Sequence, residues 1–159
     1  MRSKPAMIGS RLARQMRSAA LVGVLALMSA PVLAQPGSPV GLWKNIDDET
    51  GKAKALIRIE EKAGALVGRI VEILTPGKAN AVCGKCEGAL KDKPVRGMQI
   101  LQGLKKVEEW YEGGTILDPN NGKVYRSQLR LVDEGKRLEV RGFIGMPLFG
   151  RSQTWVRQP

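Results

Sequence analysis

Lys123-Val124-Tyr125-Arg126-Ser127-Gln128-Leu129-Arg130-Leu131-Val132 is the stretch that decides the fold. Tyr125, Ser127, Leu129 and Leu131 alternate with Arg126, Gln128 and Arg130. A period of two places one set inward and the other in water, as in a half-buried strand. Asp118-Pro119-Asn120-Asn121-Gly122 precedes it. Proline presets one backbone angle there, and Asn-Gly tolerates positive φ, so the chain turns. Glu134-Gly135 turns it again, and Leu138, Val140, Gly142 and Ile144 share one face of the following strand. Gly145-Met146-Pro147-Leu148-Phe149-Gly150 then leads into a last strand over residues 151–157.

Toward the N-terminus the same grammar repeats. Residues 41–46 read as a strand closed by Asp47-Asp48-Glu49-Thr50-Gly51. Residues 53–60 alternate, with Ala55, Ile57 and Ile59 opposite Arg58 and Glu60. Lys62-Ala63-Gly64 turns into a strand over 66–74, and another runs over 98–104. Residues 107–111 and 115–117 flank Glu112-Gly113-Gly114, which reads as a turn. No long stretch with a 3.6-residue period interrupts this pattern. Short strands with short Gly-rich turns predict an all-β fold, a barrel or a sandwich. An antiparallel meander barrel of about eight strands is preferred, in part because of a family resemblance carried by the first and last strands. A barrel of that size closes its own edges and has room for one small ligand.

The first 34 residues follow different rules. Arg2, Lys4, Arg11, Arg14 and Arg17 form a basic region without acid, an apolar run covers 19–28, and Val32-Leu33-Ala34 offers a cleavage site. This is the pattern of a signal peptide, with a periplasmic or secreted destination. The run is too short for a transmembrane anchor. Cleavage after Ala34 leaves a flexible Pro/Gly/Ser leader over 35–40 and one domain over 41–159. Removing the five leader cations lowers the formal net charge from +11 to +6. That excess favours solubility and anionic envelope surfaces. Nucleic acid is not an expected partner, because the cations are scattered without an aromatic or Arg-Gly pattern.

The chain has no histidine. Ser-His-Asp and Cys-His catalysis and HExxH zinc sites are thereby excluded. Glu60-Glu61 and Glu108-Glu109, read within strands, point to opposite faces and make poor acid/base pairs. Asp118-Pro119-Asn120-Asn121-Gly122 resembles the start of a calcium loop, but Leu129 stands where the twelfth-position acid is needed. Asp47-Asp48-Glu49 reads as a solvated turn. No enzyme activity, cofactor or metal site is expected.

Cys83-Gly84-Lys85-Cys86 lies in the least regular segment, residues 75–96. In an oxidising compartment two cysteines so close read as a disulfide clip at the barrel rim, outside the core. A zinc half-site completed by carboxylates or a second chain is an alternative, as is a redox motif.

Two resemblances add to this. Gly41-Leu42-Trp43 on the first strand with Arg157 on the last resembles the lipocalin-like barrels of the calycin group. That resemblance implies Trp43 packed under Arg157, plugging one barrel end, with the two strands adjacent. Gly97-Met98-Gln99-Ile100-Leu101, Thr115-Ile116-Leu117-Asp118-Pro119, Leu138-Glu139-Val140-Arg141-Gly142-Phe143 and Phe149-Gly150-Arg151-Ser152-Gln153-Thr154-Trp155 resemble the bacterial exported proteins grouped as domain-of-unknown-function family 2147. This second resemblance implies a small exported β-domain and no activity. The expected function is non-enzymatic binding of a small apolar or amphipathic ligand in the barrel interior or mouth. Trp110, Tyr125, Phe143, Met146 and Phe149 are the candidate contacts. The rival reading is an envelope protein-interaction or structural module with a filled barrel.

Overall fold

The computed structural model describes residues 37–159; the signal-peptide assignment of 1–34 falls outside them. Eight strands form a closed antiparallel barrel in chain order. They are β1 (Gly41–Ile46), β2 (Ala53–Lys62), β3 (Ala65–Ile73), β4 (Gln99–Val107), β5 (Trp110–Asp118), β6 (Lys123–Val132), β7 (Arg137–Phe143) and β8 (Arg151–Gln158). β1 pairs with both β2 and β8, which closes the ring. The antiparallel meander expected from the alternation is observed, closed as the preferred barrel.

The alternation also sets the contents. Paired residues share a face, so the inner wall can be followed around the ring. Trp43 sits opposite Ile57 and Arg157, Leu129 opposite Tyr111 and Val140, and Leu138 opposite Trp155. Trp43, Ile59, Leu66, Leu101, Leu104, Leu129, Leu138 and Trp155 are all buried in one cluster. Leu101 packs straight onto Gly68 across the β3–β4 pair, where a Cβ on Gly68 would come within 2.8 Å of it.

The structure corrects the reading of the middle of the chain. Glu112-Gly113-Gly114 lies inside β5 and does not turn. The turn is Glu108-Glu109, with Val107 paired to Trp110 and Glu108 at φ 54°. These two carboxylates therefore stand on a hairpin tip, and not within a strand. The glycines serve a bulge, seen as a register shift between Tyr111 and Gly114 against β6. A Cβ on Gly114 would lie 2.3 Å from the Gln102 carbonyl oxygen, so β4 and β5 approach too closely there for any side chain. Ile144, grouped with the inner face of its strand, lies beyond the end of β7 and is exposed.

Residues 74–98 join β3 to β4 and fold against the outside of the barrel. Ile100 and Leu117 are buried although they occupy the faces opposite inward-facing Leu101 and Ile116. Cys83 and Cys86 belong to the same buried cluster. The segment presses onto the β5–β6 turn: the Cys83 sulfur lies 3.4 Å from the Pro119 carbonyl oxygen. At Gly122 a Cβ would overlap the Lys85 carbonyl, and φ is +73°. Gly122 is thus needed both for its turn and for this contact.

Candidate functional site

The two ends of the barrel are built differently. At the end where β1 begins and β8 finishes, the Arg157 guanidinium lies over the Trp43 ring at 4.2 Å. Its nitrogens donate to three backbone carbonyls, Gly135 at 2.7 Å, Val40 at 3.1 Å and Ser38 at 2.7 Å. Trp43 Nε1 donates to the Pro39 carbonyl at 2.8 Å. Burial lowers the pKa of Arg157 from its ordinary value. Cation–π stacking and full use of the donors offset that loss of solvent. Residues 38–40, expected within a flexible leader, supply three of these acceptors, and Pro39 is fully buried. The plug holds them.

At the other end, the mouth, the inward-facing residues turn small and polar. Asn45, Ala55, Ser127, Gly142 and Gln153 replace the leucines and tryptophans of the plugged half. Asn45 Nδ2 donates to Gln153 Oε1 at 2.8 Å, and Trp155 Nε1 reaches the same oxygen at 3.4 Å. Ser127 pairs with Gly114 on one side and Gly142 on the other, so neither neighbouring strand places a side chain opposite it on the inner wall. Its Oγ is buried and has no hydrogen-bond partner among the described residues. Tyr125 and Ile116, nearer the rim, keep partial exposure, as does Gly142 beside Ser127. Charged pairs ring the mouth. Asp47 accepts from Thr50 and pairs with Lys54, which holds its carboxyl far below the usual carboxylate range. Arg151 pairs with Asp48 and Glu49, lowering the Asp48 pKa and raising its own.

The five candidate contacts do not form one surface. Tyr125 lies on the inner wall near the mouth, with its hydroxyl 3.0 Å from Asn121 Nδ2. Met146 and Phe149 stand exposed on the β7–β8 loop beside the mouth. Phe143 pairs with Arg126 on the outer wall, one residue past inward-facing Gly142. Trp110 sits near the plugged end on the outer wall, where the Arg130 guanidinium stacks on its ring at 4.4 Å. Alternation separates these residues: Trp110 and Phe143 each adjoin an inward residue and so must face out. Asn45, Ser127 and Gln153 went unnoticed as site residues. The strand pattern placed Ser127 on the inner face, but glycines beside it become visible only once the register is known.

Cys83 and Cys86 are bonded to each other. The clip adjoins the β5–β6 turn at the rim, as expected, but both cysteines are buried, against the expectation of a site outside the core. The outer-wall cluster of Ile100 and Leu117 extends the core to reach them. A single turn of 3-10 helix, Gly88–Leu90, follows the pair. Among the described residues no group of three or more His, Cys, Asp or Glu is placed to hold a metal ion. None of their helices is long and apolar enough to cross a membrane. Two surface concavities, about 500 Å³ along residues 77–82 and about 370 Å³ between Arg69, Arg96 and Gln102, lie outside the barrel wall.

Residues 41–157 match the family described as "Uncharacterized protein conserved in bacteria (DUF2147)". The chain belongs to this family. No curated protein matches it in sequence. Among solved structures this DUF2147 barrel is similar to protein HP1028 from Helicobacter pylori, described as belonging to the lipocalin family. The identity is 20%, the TM-score 0.66, and the match covers 76% of this chain and 82% of that one. At that identity the likeness is one of fold. In the DUF2147 chain Trp43 and Arg157 are direct partners across β1 and β8, as the resemblance to lipocalin-like barrels implies.

Proposed function

We propose that this protein is an exported, non-enzymatic binding protein that takes a small amphipathic molecule at the barrel mouth. One observation carries the reading. The barrel is sealed and bulky at one end. At the other, the buried Ser127 hydroxyl stands unpartnered between two glycines, below an exposed apolar loop. A few fixed polar groups beside apolar surface are what a small-ligand site needs for orientation and affinity. The polar end of the ligand would meet Ser127, Asn45 and Gln153, and its apolar part would lie against Tyr125, Met146 and Phe149. The likeness to a lipocalin-family barrel supports this reading. Periplasmic or secreted localisation follows from the n-region, apolar run and cleavage site before Gln35.

The filled lower half favours a second reading. Leu101 against Gly68 and the two buried tryptophans leave the interior packed by its own side chains. A structural or protein-interaction module would have such a core. Native mass spectrometry of protein recovered from the bacterial envelope, with an apolar-fluorophore titration, separates the two. The binding reading expects a co-purifying small molecule and saturable fluorescence, lost in Gly142→Val and Ser127→Leu, which put bulk into the mouth. No bound mass and no saturable signal would hand the function to the interaction module.

A further inference from the structure

We propose that the mouth end docks on an anionic lipid surface, with the β7–β8 loop inserting its apolar side chains among the headgroups. This inference rests on the ligand-binding reading and assigns the surface at which an amphipathic molecule enters or leaves the barrel.

The loop carries Ile144, Met146, Leu148 and Phe149, exposed at 70%, 60%, 77% and 75%. Val124, also exposed, is the second residue of the neighbouring strand β6. Water-exposed apolar side chains gathered this densely mark a contact surface, whereas single ones do not. The loop is held in shape from below. Arg141 Nε donates to the Pro147 carbonyl at 2.6 Å, another guanidinium nitrogen to Leu148 at 3.2 Å, and the third to Ser152 Oγ at 2.8 Å. A 3-10 turn, Pro147–Phe149, presents the apolar tips. The result is a cluster of apolar tips exposed to solvent. An exposed apolar tip suits a fluid interface that reshapes around it.

Charge selects the kind of surface. Segments 47–54, 72–98, 118–126 and 141–151, at the mouth end, hold eleven basic and seven acidic residues. Segments 58–66, 104–112 and 130–139, at the plugged end, hold seven basic and eight acidic. Arg126 flanks the loop directly, as the Cα partner of Phe143, and Lys123 begins the same strand three residues earlier, at the rim. Neither has an ion-pair partner among the described residues. Asp48 and Glu49, on the β1–β2 turn, are occupied by Arg151 at the end of the loop. Apolar insertion beside unpaired cations is the combination that anionic bilayers retain.

Flotation of residues 35–159, which hold all eight strands and the plug, with phosphatidylglycerol/phosphatidylcholine vesicles tests this. The protein should float with these vesicles and much less with phosphatidylcholine alone. Leu148→Asp with Phe149→Asp should lower partitioning at least about tenfold, since both residues would carry charge into the interface. Lys123→Gln and Arg126→Gln should each lower it by about fivefold. Circular dichroism should show all variants folded, because these side chains are exposed. Absence of flotation, or flotation unchanged in the Asp variants, overturns the proposal. So does a loop-dependent dimer or protein complex in place of vesicle binding. Gly142→Val separates this inference from the ligand reading: it should lose fluorophore binding in vesicle-free buffer and still float. Wild-type fluorophore binding without flotation would sink the docking alone, and flotation without fluorophore binding would sink the ligand reading alone.

Discussion

The plugged end and the mouth end share strands but solve opposite problems. At the plugged end the buried donors of the Trp43–Arg157 pair find acceptors. Arg157 satisfies three carbonyls and stacks on Trp43, whose own Nε1 is bonded to Pro39. At the mouth a buried hydroxyl is left without a partner, and four large apolar side chains of one loop stand in water. Native proteins rarely leave buried polar groups unpaired, and such exceptions gather where something else is bound. The contrast teaches that stability and function are separated along the barrel axis.

The largest test of that separation strikes the plug. Trp43→Ala should cost about 3–5 kcal/mol in urea unfolding, because it removes a fully buried aromatic and the platform under Arg157. A loss below about 1 kcal/mol would show that the plug does not anchor the fold.

The disulfide comes next. The clip closes only a short loop, but it joins residues buried against Ile100 and Leu117. Replacing both cysteines with alanine should cost about 2 kcal/mol and speed proteolysis between Pro76 and Pro94. Unchanged stability would show that the outer-wall segment is not continuous with the core. Two freely reactive thiols in protein from the envelope would remove the clip itself.

Acid should reach the mouth first. The Asp47 and Asp48 carboxyls are held below their ordinary values by Lys54, Thr50 and Arg151. Groups depressed in the folded state contribute stability above the unfolded carboxylate pKa of about 3.9, and lose it as pH falls through their folded values. The Tm should stay level from about pH 7 to pH 5 and drop below about pH 4. In Asp47→Asn with Asp48→Asn that drop should be shallower. An identical acid limb in the double variant would place the acid-sensitive groups elsewhere.

The smallest expected effect sharpens the comparison most. Ser127→Ala removes a buried hydroxyl with no partner, so stability should change by no more than about 0.5 kcal/mol, or rise. The same variant should weaken fluorophore or native-ligand binding at the mouth. A destabilisation above about 1 kcal/mol would mean that the hydroxyl is already engaged in the folded barrel.

Much of the fold was legible because it depends on a period of two. Strand β6, its flanking turns and the inner faces of β2 and β7 follow from alternation and turn chemistry alone. Gly113-Gly114 was misleading. Glycine pairs signal turns locally, and here the pair makes room for the β4 backbone, a neighbour the local sequence does not name. The candidate site was less legible for a related reason. Aromatic residue type drew attention to Trp110 and Phe143, yet facing direction puts both on the outer wall.

By itself the sequence determined an all-β meander with its turns, because these are encoded in residue types at short spacing; the pairing of Trp43 with Arg157 was only implied by the resemblance to lipocalin-like barrels. Only the tertiary structure decided the rest. Ring closure sets the register, and the register places Ser127 between Gly114 and Gly142. It also folds residues 74–98 over Ile100 and Leu117, which buries a disulfide expected at the rim outside the core. These contacts join residues tens of positions apart, and no local period carries information about which of them will meet.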